Sequence, residues 1–554
     1  MRNDSRSRAS RADGRRACGA HHRLVLGTAV AAALALGALP AEVRAADPTV
    51  VDPNLAVRTV VSGLVQPTTM AFLGDDDFLV LEKASGKVQR VVGGVVTATV
   101  LDLPVNSNSE RGLLGIALHP DFRRHPWVYL YWTESSTGAD SAVAAEVGNP
   151  ASPYPPGTPQ PMGNRVDRFV WDRLAGTLAF DRNIVTLHAY QADAGQPLRG
   201  NHNGGIIRFE RRDDDRGHDG DDGDHDDHDG DEGEHDGDRD RGDGRGRDDD
   251  HHGRHQARLF IVIGDNGRRG QTQNLLDGPF GPGIPDDQFG GPQPDSAHLT
   301  GVVLRLNDDG TTPRENPFFR VGARVGGDVG ASIQKIYAYG VRNCFGMAVD
   351  PRTGDLWNQE NGDDSFDEIN RITPGQNNGW VQVMGPLARV AEFKAIETTP
   401  PFVGLQQIRW PSTNIADTPA DALSRLVMIP GAHYRDPVFS WKYAVAPAGI
   451  GFLDSRALGR EYQGNLFVGA ARLTLSQGYL MRFVLNRSRR GFALSDPLLA
   501  DGVADNTAKF SPTESESLIF GTDFGVGTDI QTGPNGSLYV VSLSNGAVYE
   551  VYRQ

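Results

Sequence analysis

The sequence predicts an all-β protein, built as a six-bladed β-propeller with long loops on its faces. Three observations support this fold class. The 554 residues include 67 Gly and 34 Pro, which is too rich in turn formers for a helical bundle or a coiled coil. A pattern of two apolar strands joined by a turn recurs six times along the chain. Strands that pair locally and repeat at intervals of several tens of residues are typical of blades set around an axis.

The N-terminal segment has the composition of an export signal. Residues 1–23 are rich in Arg, residues 24–39 are apolar, and Val43-Arg44-Ala45 offers small residues for cleavage. The apolar stretch is shorter than the roughly 20 residues that span a bilayer, which disfavours a retained membrane anchor. We therefore expect residues 1–45 to be a signal peptide and the protein to be periplasmic or extracellular. Arg15-Arg16 also suggests the twin-arginine route.

The remaining residues, 46–554, are expected to form one propeller domain. The six copies of the strand pattern lie at residues 69–81, 115–131, 204–210 with 259–263, 346–357, 449–468 and 532–541. The long connections at residues 136–164, 277–297 and 385–433 are rich in Pro, Gly and polar residues, and we expect them to be face loops. Loops of this kind can build a site where the axial channel of a propeller opens.

The third copy is interrupted by a tract of extreme composition. Residues 211–258 contain only Asp, Glu, Arg, His and Gly apart from Gln256 and Ala257. A segment with almost nothing apolar to bury cannot offset the entropy of ordering, so the tract is expected to be a disordered insertion within one blade. Its His and Asp residues could bind divalent metal loosely, but they do not follow the spacing of an EF-hand.

Charge and cysteine content exclude other classes. The formal net charge is −16, which disfavours a nucleic-acid binder because such proteins need a basic face. The only cysteines are Cys18 and Cys344, and Cys18 lies in the predicted signal peptide. The mature domain must therefore be stable without an intramolecular disulfide.

Two polar clusters stand next to predicted strands. His202 lies between Asn201 and Asn203, and an imidazole there can take a proton from a hydroxyl, although such a His can also simply close a turn. Residues 264–268 follow a buried strand and combine a carboxylate and a cation with turn formers. An ordinary β-turn has the same composition.

Two further clusters point to ligand binding. Arg342-Asn343 places a cation and an amide ahead of a blade strand, where a fork of donors could hold a carboxylate. Residues 360–368 offer five carboxylates in nine residues, namely Glu360, Asp363, Asp364, Asp367 and Glu368. Hard oxygen ligands at this density suit Ca²⁺, although an acidic loop can also be merely solvated.

In their order along the chain, these motifs resemble the soluble PQQ-dependent glucose and aldose sugar dehydrogenases. The resemblance rests on residues 110–122, 201–202, 264–267, 303–307 with 316–317, 340–343, and 367–370 with 378–380. It covers nearly the whole mature chain, and the six-bladed propeller of that family agrees with the repeat count. It implies oxidation of an aldose to its lactone, with hydride transfer to PQQ, Ca²⁺ in the site and an external electron acceptor.

The resemblance also implies roles for individual residues. His202 would be the general base that takes the proton of the anomeric hydroxyl. Asn201 stands where the family usually has an Asp that orients the base and contacts the cofactor. Arg342 and Asn343 match a cofactor-binding pair, with Arg342 near the quinone oxygens. Arg472 falls where a cofactor-binding Lys is expected.

Metal and substrate positions follow from the same resemblance. The backbone carbonyls of Gly362 and Asp363 would hold the active-site Ca²⁺. Glu368 matches a ligand of a second, structural calcium. Trp441 matches an aromatic residue that shapes the sugar pocket.

The chain departs from the family pattern near its C-terminus and at the cofactor. Val526 and Thr528 replace two Arg that grip PQQ carboxylates, and each lost contact is worth on the order of 1.5–3 kcal/mol. Glu110 stands where a neutral amide is usual, and Cys344 replaces a Pro. These departures keep two alternatives open, which are a propeller that only binds carbohydrate or protein, and a calcium-dependent lactonase-like hydrolase using Glu110, Asn201 and Asp363.

Overall fold

The computed structural model describes residues 47–148, 162–189, 200–211, 256–266, 299–399 and 415–554. Its first ten strands are β1 (Thr49–Val50), β2 (Leu55–Ser62), β3 (Pro67–Gly74), β4 (Asp77–Glu82), β5 (Lys87–Val92), β6 (Val95–Asp102), β7 (Leu113–Leu118), β8 (Trp127–Thr133), β9 (Met162–Asp172) and β10 (Thr177–His188). The next nine are β11 (Ile207–Phe209), β12 (Arg258–Ile263), β13 (Val302–Asn307), β14 (Ile336–Tyr339), β15 (Gly346–Val349), β16 (Leu356–Glu360), β17 (Ser365–Ile372), β18 (Gln376–Asn377) and β19 (His433–Tyr434). The last nine are β20 (Phe439–Tyr443), β21 (Pro447–Phe452), β22 (Leu466–Ala470), β23 (Tyr479–Phe483), β24 (Val503–Ala504), β25 (Ile519–Thr522), β26 (Gly527–Thr532), β27 (Leu538–Ser542) and β28 (Ala547–Arg553).

These strands form six sheets among the described residues, and the architecture is an all-β propeller. The strand orders are β3-β4-β5-β6, β7-β8-β9-β10, β11-β12-β13-β14-β18-β19, β15-β16-β17-β20-β24, β21-β22-β23-β25-β1 and β26-β27-β28-β2. The first strands of the sheets contact one another in sequence, β3 with β7, β7 with β11, β11 with β15, β15 with β21 and β21 with β26, and β26 contacts β3. The innermost strands thus form a closed ring.

The ring closes through a pairing of the two ends of the domain. β2 is the outer strand of the last sheet, and it runs antiparallel to β28 with Val57 opposite Val551. The N-terminal strand therefore completes a sheet whose other three strands come from the C-terminus. This type of closure leaves no sheet open at the point where the chain begins and ends its circuit.

Local sequence accounts for the strands and for several turns. The second strand of the first sheet contains Phe78-Leu79-Val80-Leu81, all buried, as expected for a strand covered by sheets on both sides. The outer strand β6 is largely exposed. Gly93 and Gly94 join β5 to β6 with φ of 57° and 80°, which suits a two-residue hairpin that needs positive φ at both positions.

The interrupted copy pairs as the sequence predicts. β11 and β12 are antiparallel neighbours, with Ile207 opposite Ile261, although 48 residues separate the two strands. Residues 212–255 of the predicted insertion lie outside the described residues, as do residues 1–46 with the predicted signal peptide. The disordered insertion and the signal peptide both stay predictions.

Short helices occupy two connections between strands, one of which is the predicted face loop at residues 385–433. They are α1 (Phe319–Val325), α2 (Gly327–Lys335), α3 (Val390–Thr398) and α4 (Pro419–Arg425). The start of α4 has a readable signal, since Thr418 Oγ1 accepts a hydrogen bond from Asp421 N at 3.2 Å and Pro419 occupies the first helical position. Among the described residues, no helix has the length and apolar character needed to cross a membrane.

Candidate active site

A cavity opens at one end of the ring, where residues on or next to the innermost strands converge. Its lining residues are Thr68, Thr69, Lys83, Glu110, Leu114, Gly204, Ile206, Phe345, Ala448, Ala471, Leu475, Val526, Thr528 and Leu543. All six sheets contribute to this set. The cavity is therefore the mouth of the axial channel, which is the position that the sequence predicted for a site.

His202 and Asp265 form a buried pair beside this cavity. His202 Nδ1 lies 2.5 Å from Asp265 Oδ1, and both side chains are almost completely buried. Asp265 Oδ2 accepts a second hydrogen bond from Trp380 Nε1 at 2.9 Å. A carboxylate that accepts at both oxygens places the imidazole proton on Nδ1, which leaves the lone pair on Nε2. This is the arrangement of an oriented general base.

The backbone holds His202 in an unusual conformation. His202 has φ of 55°, and Gly204 and Gly205 follow it with φ of 63° and 107°. A Cβ on Gly205 would lie 2.5 Å from Cβ of Leu114, so only Gly allows the chain to pass at this point. The left-handed turn lets His202 reach back toward Asp265 instead of continuing the strand direction of β11.

Glu110 ties the turn of His202 to Asn343. Glu110 Oε2 accepts the backbone N–H of His202 at 2.5 Å and the Nδ2–H of Asn343 at 3.3 Å. Burial raises the pKa of Glu110, and the neighbouring His202 and Arg342 oppose that rise. The acidic residue thus has a structural role at this position, since it fixes the backbone on which the candidate base stands.

The guanidinium of Arg342 contacts backbone carbonyls, a carboxylate and an aromatic ring. Nη1 donates to the carbonyls of Asn361 and Gly362, both at 2.8 Å, and Nη2 lies 3.1 Å from Asp363 Oδ1. The guanidinium carbon is 5.3 Å from the centre of the Trp380 ring. Trp380 therefore contacts both Arg342 and Asp265, which joins the cation to the His–Asp pair.

The backbone of Arg342 is also held by a carboxylate. Its N–H donates to Glu360 Oε1, and Glu360 Oε2 accepts from Asn378 Nδ2 at 3.2 Å. Burial raises the pKa of Glu360 to about 7. The carbonyl of Arg342 accepts the N–H of Asp265 at 2.9 Å, so the loops that carry Arg342 and Asp265 are linked directly.

Some polar atoms beside Arg342 are buried and have no hydrogen-bond partner among the described residues. They are Arg342 Nε, Asn343 Oδ1 and Asn361 Oδ1. Buried polar groups in proteins are nearly always paired, so unpaired ones grouped in one place indicate a polar ligand. A quinone oxygen is an acceptor that Arg342 could satisfy, and this end of the site fits PQQ.

The opposite wall of the cavity is different in character. Val526 and Thr528 stand there as the sequence indicated, and Val526 packs with Ala446, Ala448, Ala471 and Leu543. Among the described residues that line the cavity, Lys83 is the one cation. Its Nζ donates to the carbonyls of Ser107 and Ser109 at 3.2 and 2.9 Å, and burial lowers its pKa to about 7.

The residues predicted to bind calcium fall in two places. Gly362 and Asp363 lie beside Arg342, whereas Glu368 is on β17 and accepts from Asn370 Nδ2 at 3.0 Å and from Gly385 N at 2.5 Å. Burial and the neighbouring Glu360 raise the pKa of Glu368 well above its usual value. In the part of the chain that the structure describes, no group of three or more His, Cys, Asp or Glu is arranged to hold a metal ion.

Two other predicted site residues contact groups other than the side chains of the His–Asp pair. Asn201 is half-buried next to His202, and its carbonyl accepts from Asn203 Nδ2 at 3.1 Å. The guanidinium of Arg472 lies 4.9 Å from the centre of the Tyr479 ring. Both are close in sequence to cavity residues, but neither is among the described residues that line the cavity.

Trp441, which the resemblance assigns to the sugar pocket, is not among the described residues that line the cavity. Trp441 is completely buried in the core between two sheets, where its ring packs against Phe439 and Phe483 at centroid distances of 4.9 and 6.0 Å. Its Nε1 donates to Ser515 Oγ at 3.3 Å. The position on β20 opposite Asp367 turns the side chain into the core, and sequence alone does not fix which face a short strand residue takes.

Sequence reasoning gave Asp265, Glu360 and Trp380 no catalytic role, and it did not single out Lys83. Asp265 was noted only as part of a possible turn, and Trp380 only as part of a motif. A carboxylate, an indole and an imidazole from three distant segments give no periodic signal. For Lys83 and Asp265 the available signal was a position one or two residues after a strand end, where loops build sites.

Comparison with known proteins agrees with these observations. The family model described as Glucose / Sorbosone dehydrogenase matches residues 64–151 and 252–389. Aldose sugar dehydrogenase YliI of Escherichia coli (strain K12) is 23% identical over 501 residues, which cover 89% of this chain and 92% of that protein. Quinoprotein glucose dehydrogenase B of Acinetobacter calcoaceticus is 26% identical over 338 residues, which cover 60% of this chain and 53% of that protein.

A solved structure has the same fold. The soluble Aldose sugar dehydrogenase (Asd) from Escherichia coli in the apo-form superposes with a TM-score of 0.52 and 21% identity, covering 90% of this chain and all of that one. At this identity the likeness establishes the fold. The fold does not establish what individual residues do, so their roles depend on the geometry of the site itself.

Proposed function

The chain belongs to the glucose/sorbosone dehydrogenase-like family, and on that premise we propose that it oxidises an aldose at the anomeric carbon to the lactone with PQQ as cofactor. The observation that carries the proposal is the buried pair of His202 and Asp265, 2.5 Å apart, next to Arg342 at the axial mouth of the propeller. An imidazole oriented by a carboxylate, beside a fixed cation, is what removal of a hydroxyl proton and transfer of negative charge require.

His202 is the base in this proposal. With Nδ1–H donating to Asp265, the Nε2 lone pair is the one available to the substrate hydroxyl. The hydroxyl proton passes to Nε2 as the C1–H bond breaks and the C1=O bond forms. Bound PQQ would supply the acceptor for the hydride, and an external electron acceptor would then take the two electrons.

Asp265 stabilises the imidazolium that forms and keeps the ring in one tautomer. Trp380 Nε1 holds the second oxygen of Asp265, so the carboxylate cannot rotate away from His202. Glu110 fixes the backbone of His202 through its N–H. Three groups therefore restrain the base before any substrate binds, which is the pre-organisation that efficient proton transfer needs.

Arg342 and Asn343 would hold the quinone end of the cofactor. The unpartnered Arg342 Nε and Asn343 Oδ1 are buried at this point, and the guanidinium charge would stabilise negative charge on a bound acceptor. Lys83 lines the same cavity, and its Nζ is held by the carbonyls of Ser107 and Ser109. Arg472 stays a proposed cofactor contact.

No step of the proposal uses calcium. The carbonyl of Gly362 already accepts from Arg342 Nη1 at 2.8 Å, and the carbonyl of Asp363 accepts from Lys509 Nζ at 3.2 Å. A Ca²⁺ ion on these oxygens would lie beside two side-chain cations. The residues present therefore do not offer calcium a ready site.

The proposal also includes the number of blades, the single domain and the cellular location. The six sheets and the closed ring of their innermost strands support a six-bladed propeller formed by one domain. We also propose that residues 1–45 direct export to the periplasm or the extracellular space and that no stable membrane anchor remains. The expected partners are then an aldose and an electron acceptor, with no nucleic acid.

A second candidate is a propeller that binds a carbohydrate or protein without redox chemistry. The observation that favours it is the apolar wall formed by Val526, Ala471, Leu475 and Leu543, where an anionic cofactor would find no cation. The retained His202–Asp265 pair favours the dehydrogenase, because a binding site has no use for a buried and oriented base.

One titration separates the two candidates. Purified apoprotein is titrated with PQQ, followed by absorbance, and an aldose is then added to reduce the bound quinone. Tight binding and substrate-dependent reduction support the dehydrogenase, and His202→Ala should bind PQQ but not reduce it. No binding at micromolar PQQ would reject the dehydrogenase and leave the binding propeller.

A further inference from the structure

The acidic loop from Glu360 to Glu368 has the composition of a calcium site, yet protein donors contact each of its carboxylates. Every one of its five carboxylates accepts from a donor within the protein. Glu360 accepts from Arg342 N and Asn378, Asp363 pairs with Arg342, and Asp364 accepts from Lys509 Nζ at 2.6 Å. Protein groups therefore bind every carboxylate of the loop through one or both of its oxygens.

The remaining carboxylates are held by the backbone. Asp367 accepts the N–H groups of Gly362, Val445 and Ala446 at 2.8, 2.6 and 2.7 Å. Glu368 accepts from Asn370 and Gly385. Carboxylates in calcium sites point their oxygens at the ion, whereas these point at N–H donors.

Lys509 is the second side-chain cation that contacts this loop. Its Nζ donates to the carbonyl of Asp363 at 3.2 Å as well as to Asp364 Oδ1, so it bridges one carbonyl and one carboxylate of the loop. Its side chain is largely buried. A nearby buried carboxylate, Glu397, binds the loop from the other side by accepting from the N–H groups of Asp364 and Ser365 and from Ser365 Oγ.

We propose that Lys509 is the built-in cation of the acidic loop, and that with Arg342 it replaces a divalent metal there, so that the loop folds and keeps its shape without calcium. The inference goes beyond the proposed function and does not depend on it, since it concerns only the loop and its charges. An ammonium and a guanidinium together carry the two positive charges that one Ca²⁺ would bring.

The test compares thermal stability and metal content without any cofactor. The chain is dialysed against EDTA, and its melting temperature and bound calcium are measured with and without millimolar Ca²⁺, for the wild type and for Lys509→Met. Lys442→Met is the matched control, because Lys442 pairs with Glu392 at 2.5 Å outside the loop. Lys509→Arg keeps the charge and serves as a second variant.

We expect the wild type to retain no calcium after dialysis. Its melting temperatures with and without millimolar Ca²⁺ should differ by less than about 1 °C. Lys509→Met should melt several degrees lower than Lys442→Met in EDTA and should recover part of the loss when Ca²⁺ is added. Wild-type protein that retains about one calcium per chain, or melts lower in EDTA, would overturn the inference even if Lys509→Met cannot be purified. Equal melting of the two Met variants would also overturn it.

Discussion

At the residue scale, the most consequential contact joins His202 to Asp265. The pair combines an imidazole with a carboxylate that accepts a hydrogen bond from Nδ1 of the ring, which leaves Nε2 to accept a proton. Trp380 Nε1 holds that carboxylate from the other side. The function of His202 thus depends on two residues that make no contact with substrate in the proposal.

Substitution of either member of the pair should slow the chemical step. We expect His202→Ala to lower kcat for aldose oxidation by about 10²-fold or more, as loss of a general base does, while PQQ affinity changes little. Asp265→Asn should also lower kcat by at least about 10-fold, because an amide can donate to Nδ1 and place the proton on the wrong nitrogen. Steady-state kinetics and PQQ titration give both quantities.

His433→Ala is the matched control for these variants, since His433 is an exposed histidine hydrogen-bonded to Thr373. Its kcat should equal that of the wild type. If His202→Ala retained full turnover, the base would have to be another group, and the buried pair would have only a structural role.

Cys344 offers a test of burial at a single atom. The thiol is completely buried, and burial raises its pKa to about 12. At pH 8 roughly one thiol in ten thousand is then the reactive thiolate, against about a quarter for an ordinary cysteine with a pKa of about 8.5. We expect Ellman's reagent to leave Cys344 of the folded protein unreacted at pH 8 for hours.

The same reagent should titrate Cys344 at once after unfolding in guanidinium chloride. A protein lacking residues 1–45 gives the cleanest result because it also lacks Cys18. Rapid labelling of the folded protein would contradict the burial of this residue.

At the element scale, strands were predictable and the orientation of single side chains was not. The six copies of the strand pattern correspond to elements of all six sheets, because alternating or fully apolar runs between turn formers are local signals. The helices at residues 390–398 and 419–425 were missed because their connection is dominated by Pro, Gly and polar residues. The burial of Trp441 in the core was not predictable because strand pairing, which the sequence does not state, decides which face it takes.

The site was predictable only as far as its motifs. His202 and Arg342 were chosen from their neighbours in sequence, and the structure does place them in one network. The partner of His202 lies 63 residues away along the chain, after a different strand. Contacts of this kind depend on how two sheets meet, and that is a property of packing and not of local pattern.

Glycines at the meeting of neighbouring innermost strands explain how tightly the sheets pack. A Cβ on Gly346 of β15 would lie 2.4 Å from the carbonyl oxygen of Ala448 on β21. We expect Gly346→Ala to lower the free energy of unfolding by about 1–3 kcal/mol through overpacking, measured by urea unfolding. This loss does not depend on the backbone φ of Gly346, because the added Cβ would clash with the neighbouring sheet.

Gly74→Ala is the control for this prediction, because a Cβ there meets only Cβ of Asp77 at 3.9 Å. Its free energy of unfolding should change by less than about 0.5 kcal/mol. Equal stability of the two variants would mean that β15 and β21 can move apart without loss.

At the scale of the whole molecule, the ring depends on contacts between residues far apart in sequence. β2 pairs with β28 across almost the whole length of the domain, so the last sheet forms only when both ends are present. A fold dominated by such long-range pairing is expected to form slowly. An ion pair inside the ring also contributes to this closure.

An ion pair crosses the axial channel. Arg208 belongs to β11 and Asp529 to β26, which are third and sixth among the innermost strands and therefore lie on opposite sides of the ring. Arg208 Nη2 lies 2.7 Å from Asp529 Oδ1, and Asp529 Oδ2 accepts from Met70 N at 3.0 Å and from Gln531 Nε2 at 2.6 Å. Asp529 is completely buried. Three of the six innermost strands thus meet at one carboxylate.

Removal of the arginine should therefore destabilise the whole ring. Arg208→Met leaves the buried carboxylate of Asp529 without its cation, and we expect a loss of about 3–5 kcal/mol in the free energy of unfolding. Arg90→Met is the control, because Arg90 and Asp77 form a partly exposed pair at 2.6 Å within a single sheet and should lose less than about 1 kcal/mol. Because the axial pair joins opposite sheets, its loss should lower one cooperative urea transition rather than produce a separate early step. If Arg208→Met cost no more than Arg90→Met, closure of the ring would rest on strand packing and the pairing of β2 with β28 alone.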